Sequence, residues 1–203
     1  LTYIDLDFLE IGTSDFGTLI ECCMDHTVGI SVEPIKEYLD KLPNKPNITK
    51  VCAAISIDDS TDDLDVYYIP ADIIESSGLP DYLRGCNTIG KYHPLHIEFN
   101  VTHLVKIKKV KQIAISTLLA SFNVRKIRYL KIDTEGSDCY ILQNFLKYLQ
   151  NKTDEYYPKI IKFESNNLSS KELVDNTVNE FIKRNYEILE ITKHDTVLIR
   201  SEN

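Results

Sequence analysis

A net charge of −8 over 203 residues argues against broad electrostatic binding to nucleic acid or to an anionic membrane. The length suits one domain, taken as 1–203, with room for a sizeable core. No apolar run approaches the ~20 residues of a bilayer-spanning helix. The five cysteines (Cys22, Cys23, Cys52, Cys86 and Cys139) are odd in number and form no C-x-x-C pair. That pattern fits packed thiols in a reducing compartment, and a cytoplasmic location is expected.

In chain order, Phe8-Leu9-Glu10-Ile11-Gly12-Thr13-Ser14-Asp15-Phe16-Gly17 reads as a buried strand, a tight turn and a helix start. Glycine suits a sharp turn off a strand end and a ligand lying against bare backbone. The turn is expected to leave free N–H groups at the start of a helix over 17–25, which would favour an anionic or hydrogen-bonding ligand. Gly29-Ile30-Ser31-Val32-Glu33 is a second short strand ending in an acid. Pro34 is placed to open a helix over 35–41. A third strand is predicted over 51–57, an acidic turn over 58–65 and a β-branched, aromatic strand over 66–69.

The stretch 75–103 carries Gly78, Pro80, Gly85, Gly90 and Pro94 with little periodicity, and reads as a loop insertion bordering the active site. Residues 105–110 alternate apolar side chains with lysine, the pattern of a guarded edge strand more than of a nucleic-acid contact. A helix is predicted over 116–123 with Ser116 as N-cap. A strand over 127–132 then runs into Asp133-Thr134-Glu135-Gly136. Residues 138–149 form a strongly amphipathic helix with Ile141, Leu142, Phe145, Leu146 and Leu149 on one face. A strand over 160–164 again ends in an acid, Glu164, and a helix follows over 171–184. Strands over 186–192 and 196–200, joined at Lys193-His194-Asp195, close the chain as a hairpin.

Repeated strand–helix units closing on an antiparallel C-terminal hairpin define an α/β, Rossmann-like sandwich with a mostly parallel sheet. Ligands in such folds bind beyond the carboxyl ends of the strands. Acids stand at four of those ends: Glu10, Glu33, Asp133 with Glu135, and Glu164. A carboxylate near a core costs free energy unless it is paired or faces a wet cleft, so the set marks a candidate site. Glu33 follows Gly12 by about twenty residues, the place where dinucleotide folds hold a ribose. The loop from Gly12 to Gly17 resembles the dinucleotide fingerprint with Ser14 in place of its middle glycine. A side chain there crowds a pyrophosphate, and Glu10 suits a cation. Both features favour S-adenosylmethionine over NAD.

The segments Phe8–Gly17, Ser31-Val32-Glu33-Pro34, 115–119 and Lys131-Ile132-Asp133-Thr134-Glu135-Gly136 together resemble the FkbM family of S-adenosylmethionine-dependent methyltransferases, of class I fold. Gly85-Cys86-Asn87-Thr88 with His93-Pro94 is similar to a further segment of that family. The resemblance implies methyl transfer, mostly to oxygen, on a sugar, glycan or other polar small molecule. Carried over by position, Glu10, Gly12, Thr13, Ser14, Phe16 and Gly17 would surround the methionine part of the cofactor. Glu33, followed by Pro34, would hold the ribose, and Ala53 and Ala54 would sit near the adenine. Asp133 and Glu135 fall at the reacting edge.

Asp133, Glu135, Glu164 and His93 are the candidates for a base that activates the acceptor. His93 could equally be a loop histidine bonded to backbone, and Glu135 a helix N-terminal acid stabilised by the dipole. Asp133 and Glu135 could instead share a Mg²⁺. An NAD-dependent oxidoreductase and a non-catalytic module that retains the fold are the competing classes.

Overall fold

The computed structural model describes residues 2–58, 60 and 62–201. The strands are β1 Ile4–Ile11, β2 Gly29–Val32, β3 Ile48–Val51, β4 Ala54–Ile55, β5 Leu64–Tyr68, β6 Thr88–Ile89, β7 Lys106–Val110, β8 Gln112–Ile113, β9 Val124–Ile132, β10 Ile160–Glu164, β11 Tyr186–Ile191 and β12 Asp195–Arg200. The α-helices are α1 Leu19–Cys22, α2 Lys36–Lys41, α3 Ala71–Ser76, α4 Pro94–Glu98, α5 Ile115–Ser121, α6 Asp138–Leu149 and α7 Lys171–Ile182.

The main sheet has the order β11-β12-β10-β9-β1-β2-β3. β1 lies between β9 and β2 and is parallel to both, and β10 extends the parallel set beyond β9. β12 runs antiparallel to β10 and β11. This is the class I methyltransferase arrangement, a mostly parallel sheet closed by an antiparallel C-terminal hairpin. The last four residues of β1 and all of β2 are buried, so both faces of the sheet are covered there.

The amphipathic stripe of α6 lies where its spacing predicts. Ile141, Leu142, Phe145, Leu146 and Leu149 all pack into the main core with Leu130, Ile161 and Phe163 of the sheet. Each such side chain contributes roughly 1.5–3 kcal/mol on burial. Leu142→Ala would cost about 2–5 kcal/mol by opening a cavity in that core.

Several boundaries differ from the sequence expectations. The helix expected over 17–25 shrinks to α1, because Thr18 is its N-cap and the chain turns extended at Cys23. Only Ile20 of that helix is buried, so no apolar stripe sustains a further turn. Pro34 stands before the N-cap, Ile35, and does not open α2. The Glu33 carboxylate accepts the Ile35 N–H there. The strand expected over 51–57 is split. β3 ends at Val51, and Ala54–Ile55 peels off to pair with β8. α5 is capped at Ala114, which leaves Ser116 inside its first turn, because the fully buried Ile115 is already helical. Positions 59 and 61 of the expected acidic turn lie outside the described residues.

The stretch 75–103 is more ordered than its composition suggests. It holds the end of α3, a 3₁₀ turn at Asp81–Arg84, β6, α4 and a second 3₁₀ turn. A separate apolar cluster of Ile69, Ile74, Leu83, Cys86 and Val101 anchors it. β7 is an edge strand of a small sheet with the order β6-β5-β7. Its Lys108 reaches Glu37 at 2.7 Å, Lys109 reaches Asp65 at 3.0 Å, and the neighbouring Lys111 reaches Asp63 at 2.7 Å. Those lysines are spent within the protein, as expected of a guarded edge.

Candidate active site

A cavity of about 470 Å³ opens at the carboxyl ends of the parallel strands. Gly12 sets its inner corner with φ +79°, where a Cβ would lie 1.9 Å from the carbonyl oxygen of Asp133. Only glycine lets the ends of β1 and β9 approach this closely. Ser14, at φ +51°, turns the loop back toward the end of β2. Its N–H donates to Glu33 Oε2 at 2.7 Å, while Ile35 N–H donates to Oε1 at 2.9 Å. Burial pushes the Glu33 carboxyl up to about 7, against the pull of these N–H groups. Ser14 Oγ donates to the Arg84 carbonyl at 3.0 Å, and the Arg84 guanidinium lies 5.1 Å from the Phe16 ring centre. The glycine loop and the segment after Pro80 are thereby tied together over the cavity mouth.

Three of the N–H groups at this loop and at the start of α1 are engaged. Ser14 N–H serves Glu33, Thr18 N–H serves Glu21 at 2.9 Å, and Leu19 N–H serves Glu10 at 2.9 Å. These three are satisfied by carboxylates and are not offered to a pyrophosphate.

Gly12, Thr13, Ser14, Phe16 and Gly17 line the cavity, as do Glu33 and Pro34 at the end of β2. Ala53 and Ala54 line it together with Ile55, Val66 and Ile89, forming an apolar wall. Glu10 does not line it. Its side chain is fully enclosed, with Oε1 accepting from Lys131 Nζ at 2.9 Å and Oε2 from Leu19 N–H. Glu10 acts through Lys131, which does reach the cavity.

At the opposite edge stand Asp133, Glu135 and Glu164. The pairing of Ile132 with Phe163 brings the residues that follow, Asp133 and Glu164, side by side. One carboxylate oxygen from each of the three lies within 4.8 Å of the others. Asp138 braces this edge from below. Its Oδ2 accepts from Thr134 N–H at 3.1 Å and Thr134 Oγ1 at 2.6 Å, and its Oδ1 accepts from Glu164 N–H at 3.0 Å. Burial pushes Asp138 up to about 6. Glu135 and Gly136 both take positive φ, +53° and +100°, in the turn from β9 into α6.

His93 lies behind Glu135, with Nε2 3.0 Å from Glu135 Oε2. Its Nδ1 accepts the Leu95 N–H at 3.1 Å, so the neutral ring carries its proton on Nε2 and donates it to Glu135. Burial, helped by Lys91, lowers the His93 pKa and favours that neutral ring. His93 is thus both a backbone-bonded helix cap and a partner of Glu135, and it does not line the cavity. Burial and the neighbouring carboxylates raise both Glu135 and Glu164 well above the ordinary range. Glu164 Oε1 accepts from Asn166 at 2.6 Å, while its buried Oε2 has no partner among the described residues. This all-oxygen donor set has the chemistry of a Mg²⁺ or Mn²⁺ site.

Residues that sequence reasoning passed over also shape the site: Asp138, Lys131, Asn87, Tyr82 and Ser137. Asn87 Nδ2 donates to the Arg84 carbonyl, and its buried Oδ1 has no partner among the described residues. Asn87 lay within a quoted motif, but nothing in its spacing pointed it at the ligand. The lining is rich in acceptors (Glu33, Asp133, Glu135, Glu164 and Asn87 Oδ1), and among the described residues Lys131 supplies its one lysine or arginine. That set fits S-adenosylmethionine, which carries an ammonium, a sulfonium and ribose hydroxyls and no phosphate.

A class I sheet with a glycine corner, an acid at the end of β2 and an acceptor-rich cleft defines an S-adenosylmethionine-dependent methyltransferase fold. The profile of the methyltransferase FkbM domain matches residues 10–189, and the chain belongs to that family. A comparison with curated proteins gives no match. Among solved structures, M. capricolum TrmK, in complex with its natural cofactor product S-adenosyl-homocysteine, is 15% identical with a TM-score of 0.36. The likeness covers 98% of this chain and 62% of that one, so this chain spans about three fifths of the TrmK structure. No helix among the described residues is long and apolar enough to cross a membrane.

Proposed function

We propose that the chain transfers the methyl group of S-adenosylmethionine to a hydroxyl of a sugar, glycan or similar polar small molecule. The observation that carries this reading is the acid edge, where Glu135 faces the cofactor cavity and is held by His93 at 3.0 Å. Glu33 would hold the ribose hydroxyls, the Gly12–Gly17 loop the methionine part, and the apolar wall at Ala53, Ala54 and Ile55 the adenine. Asn87 Oδ1 offers an acceptor for one of the cofactor's N–H groups. The cofactor supplies an electrophilic methyl group. Glu135 takes the proton of the acceptor hydroxyl as its oxygen bonds to the methyl carbon, and the electron pair of the broken S–C bond stays on sulfur. The raised pKa of Glu135 makes it a stronger base once ionised.

A metal-assisted version draws on one further observation, the mutual 4.8 Å spacing of the Asp133, Glu135 and Glu164 oxygens. A divalent cation there would acidify the acceptor hydroxyl directly. An NAD-dependent activity is disfavoured because Ser14 stands where a pyrophosphate needs bare backbone, and its N–H and that of Leu19 are already bonded to carboxylates. The test is transfer of labelled methyl from S-adenosylmethionine to a panel of oligosaccharides, nucleotide sugars, RNA and protein. Label confined to RNA or protein would overturn the acceptor class and leave the cofactor reading in place.

A further inference from the structure

A second cavity of about 440 Å³ adjoins the first, and Ile89, Glu135 and Ser137 line both. Glu135 is therefore the partition between them. An acceptor and a methyl donor must meet across such a boundary, because the attacking oxygen approaches the carbon from the side opposite sulfur. The second cavity has an apolar flank that includes Leu64, Pro94 and Leu168, and the Tyr140 ring, 44% exposed, lies open beside it.

Its charge is one-sided. Asp58, Asp62 and Asp63 join Glu135 in the lining, against a single cation among the described residues, Lys91. Lys111 neutralises Asp63 at 2.7 Å. Neither Asp58 nor Asp62 has a cationic partner among the described residues, and both are exposed. An open aromatic ring beside unpaired carboxylates is the environment that holds an ammonium group. The same carboxylates repel phosphate and carboxylate, which narrows the acceptor by exclusion as well as by attraction.

We propose that the second cavity is the acceptor site and that it takes a hydroxyl-bearing molecule carrying a protonated amine, of the amino-sugar or aminocyclitol kind. The inference rests on the methyl-transfer reading above and narrows its acceptor. Hydroxyl presentation to Glu135 then sits at the inner end of the cavity, and charge recognition at Asp58 and Asp62.

The test is equilibrium binding to the full chain saturated with S-adenosylhomocysteine, followed by calorimetry. The probes are kanamycin and its fully N-acetylated form, which share hydroxyls and differ in charge. Kanamycin should bind at least about tenfold more tightly. The double variant Asp58→Asn/Asp62→Asn should erase most of that preference, while its affinity for S-adenosylhomocysteine stays unchanged. Equal affinity for the two probes, binding of neither, or a preference that survives the double variant would overturn the proposal. Methyl transfer is scored separately with labelled cofactor. Discriminating binding with no label on oxygen would count against O-methylation and leave the charge recognition standing.

Discussion

The backbone N–H of Ser14 donates to Glu33 Oε2 at 2.7 Å, across nineteen positions of sequence. This bond joins the glycine loop after β1 to the acid that ends β2. It holds Ser14 in a left-handed conformation that a non-glycine residue adopts at a cost. It also removes the N–H that a phosphate would use, and it fixes the carboxylate at the cavity wall. Glu33 is therefore a cavity-lining acid and a strut of the loop at once.

Replacing that acid should weaken cofactor binding. Glu33→Ala removes the acceptor for two backbone N–H groups and, on the proposed reading, for the ribose hydroxyls, and a loss of about 1.5–3 kcal/mol in S-adenosylhomocysteine affinity is expected. Glu33→Gln, which retains one acceptor oxygen, should lose less. Calorimetric titration of both variants checks the order. An alanine variant that binds as tightly as the parent would remove Glu33 from the cofactor site.

Glu135→Gln should lower kcat by about 10²–10⁴-fold with little change in cofactor affinity. Because burial and neighbouring acids raise the Glu135 pKa, the parent rate should climb with pH until that group is ionised. The rise should be flattened in the variant. His93→Gln, which can still donate a hydrogen bond, should be milder than His93→Ala, because His93 orients Glu135. The measurement is a pH–rate profile for each enzyme.

Asp138 braces two strand ends, and its loss should be felt as stability. Asp138→Asn leaves one of the three donors at Thr134 and Glu164 without an acceptor, for about 1–3 kcal/mol by denaturant unfolding.

The pH dependence of stability has a definite sign. Glu33 at about 7 and Asp138 at about 6 lie above their ordinary values of 4.5 and 3.8. Between those limits the native state keeps protons that the unfolded chain releases. The associated stability is complete below the unfolded values and is lost as pH rises through the folded ones. The melting temperature of the ligand-free protein should fall from about pH 5 to about pH 8, and Glu33→Gln should shallow the fall. A melting temperature that rises over this range would contradict the burial of these acids.

If a cation bridges Asp133, Glu135 and Glu164, EDTA should abolish turnover and Mg²⁺ or Mn²⁺ should restore it, with Asp133→Asn insensitive to either. Full activity in EDTA would leave Glu135 as an unassisted base.

The sequence by itself determined the strand–helix order, the parallel sheet with its closing hairpin, the glycine corner and the acids at the strand ends. These are local signals: apolar periodicity, a glycine at a turn, a carboxylate where a strand stops. The helix Asp138–Leu149 was legible to the residue because five apolar side chains share one face. Tertiary structure decided which acids face the cavity. Glu10 reads like Glu33 in sequence, yet it is enclosed by Lys131 and Leu19, because β1 is the inner strand and β9 lies beside it. Glu164 joins Asp133 only through the pairing of Phe163 with Ile132, a register between residues some thirty positions apart. Asn87 and His93 come from a stretch without periodicity, placed by its own apolar cluster. Pairing register and side-chain capping depend on contacts distant in sequence, so they settle only when the sheet has formed.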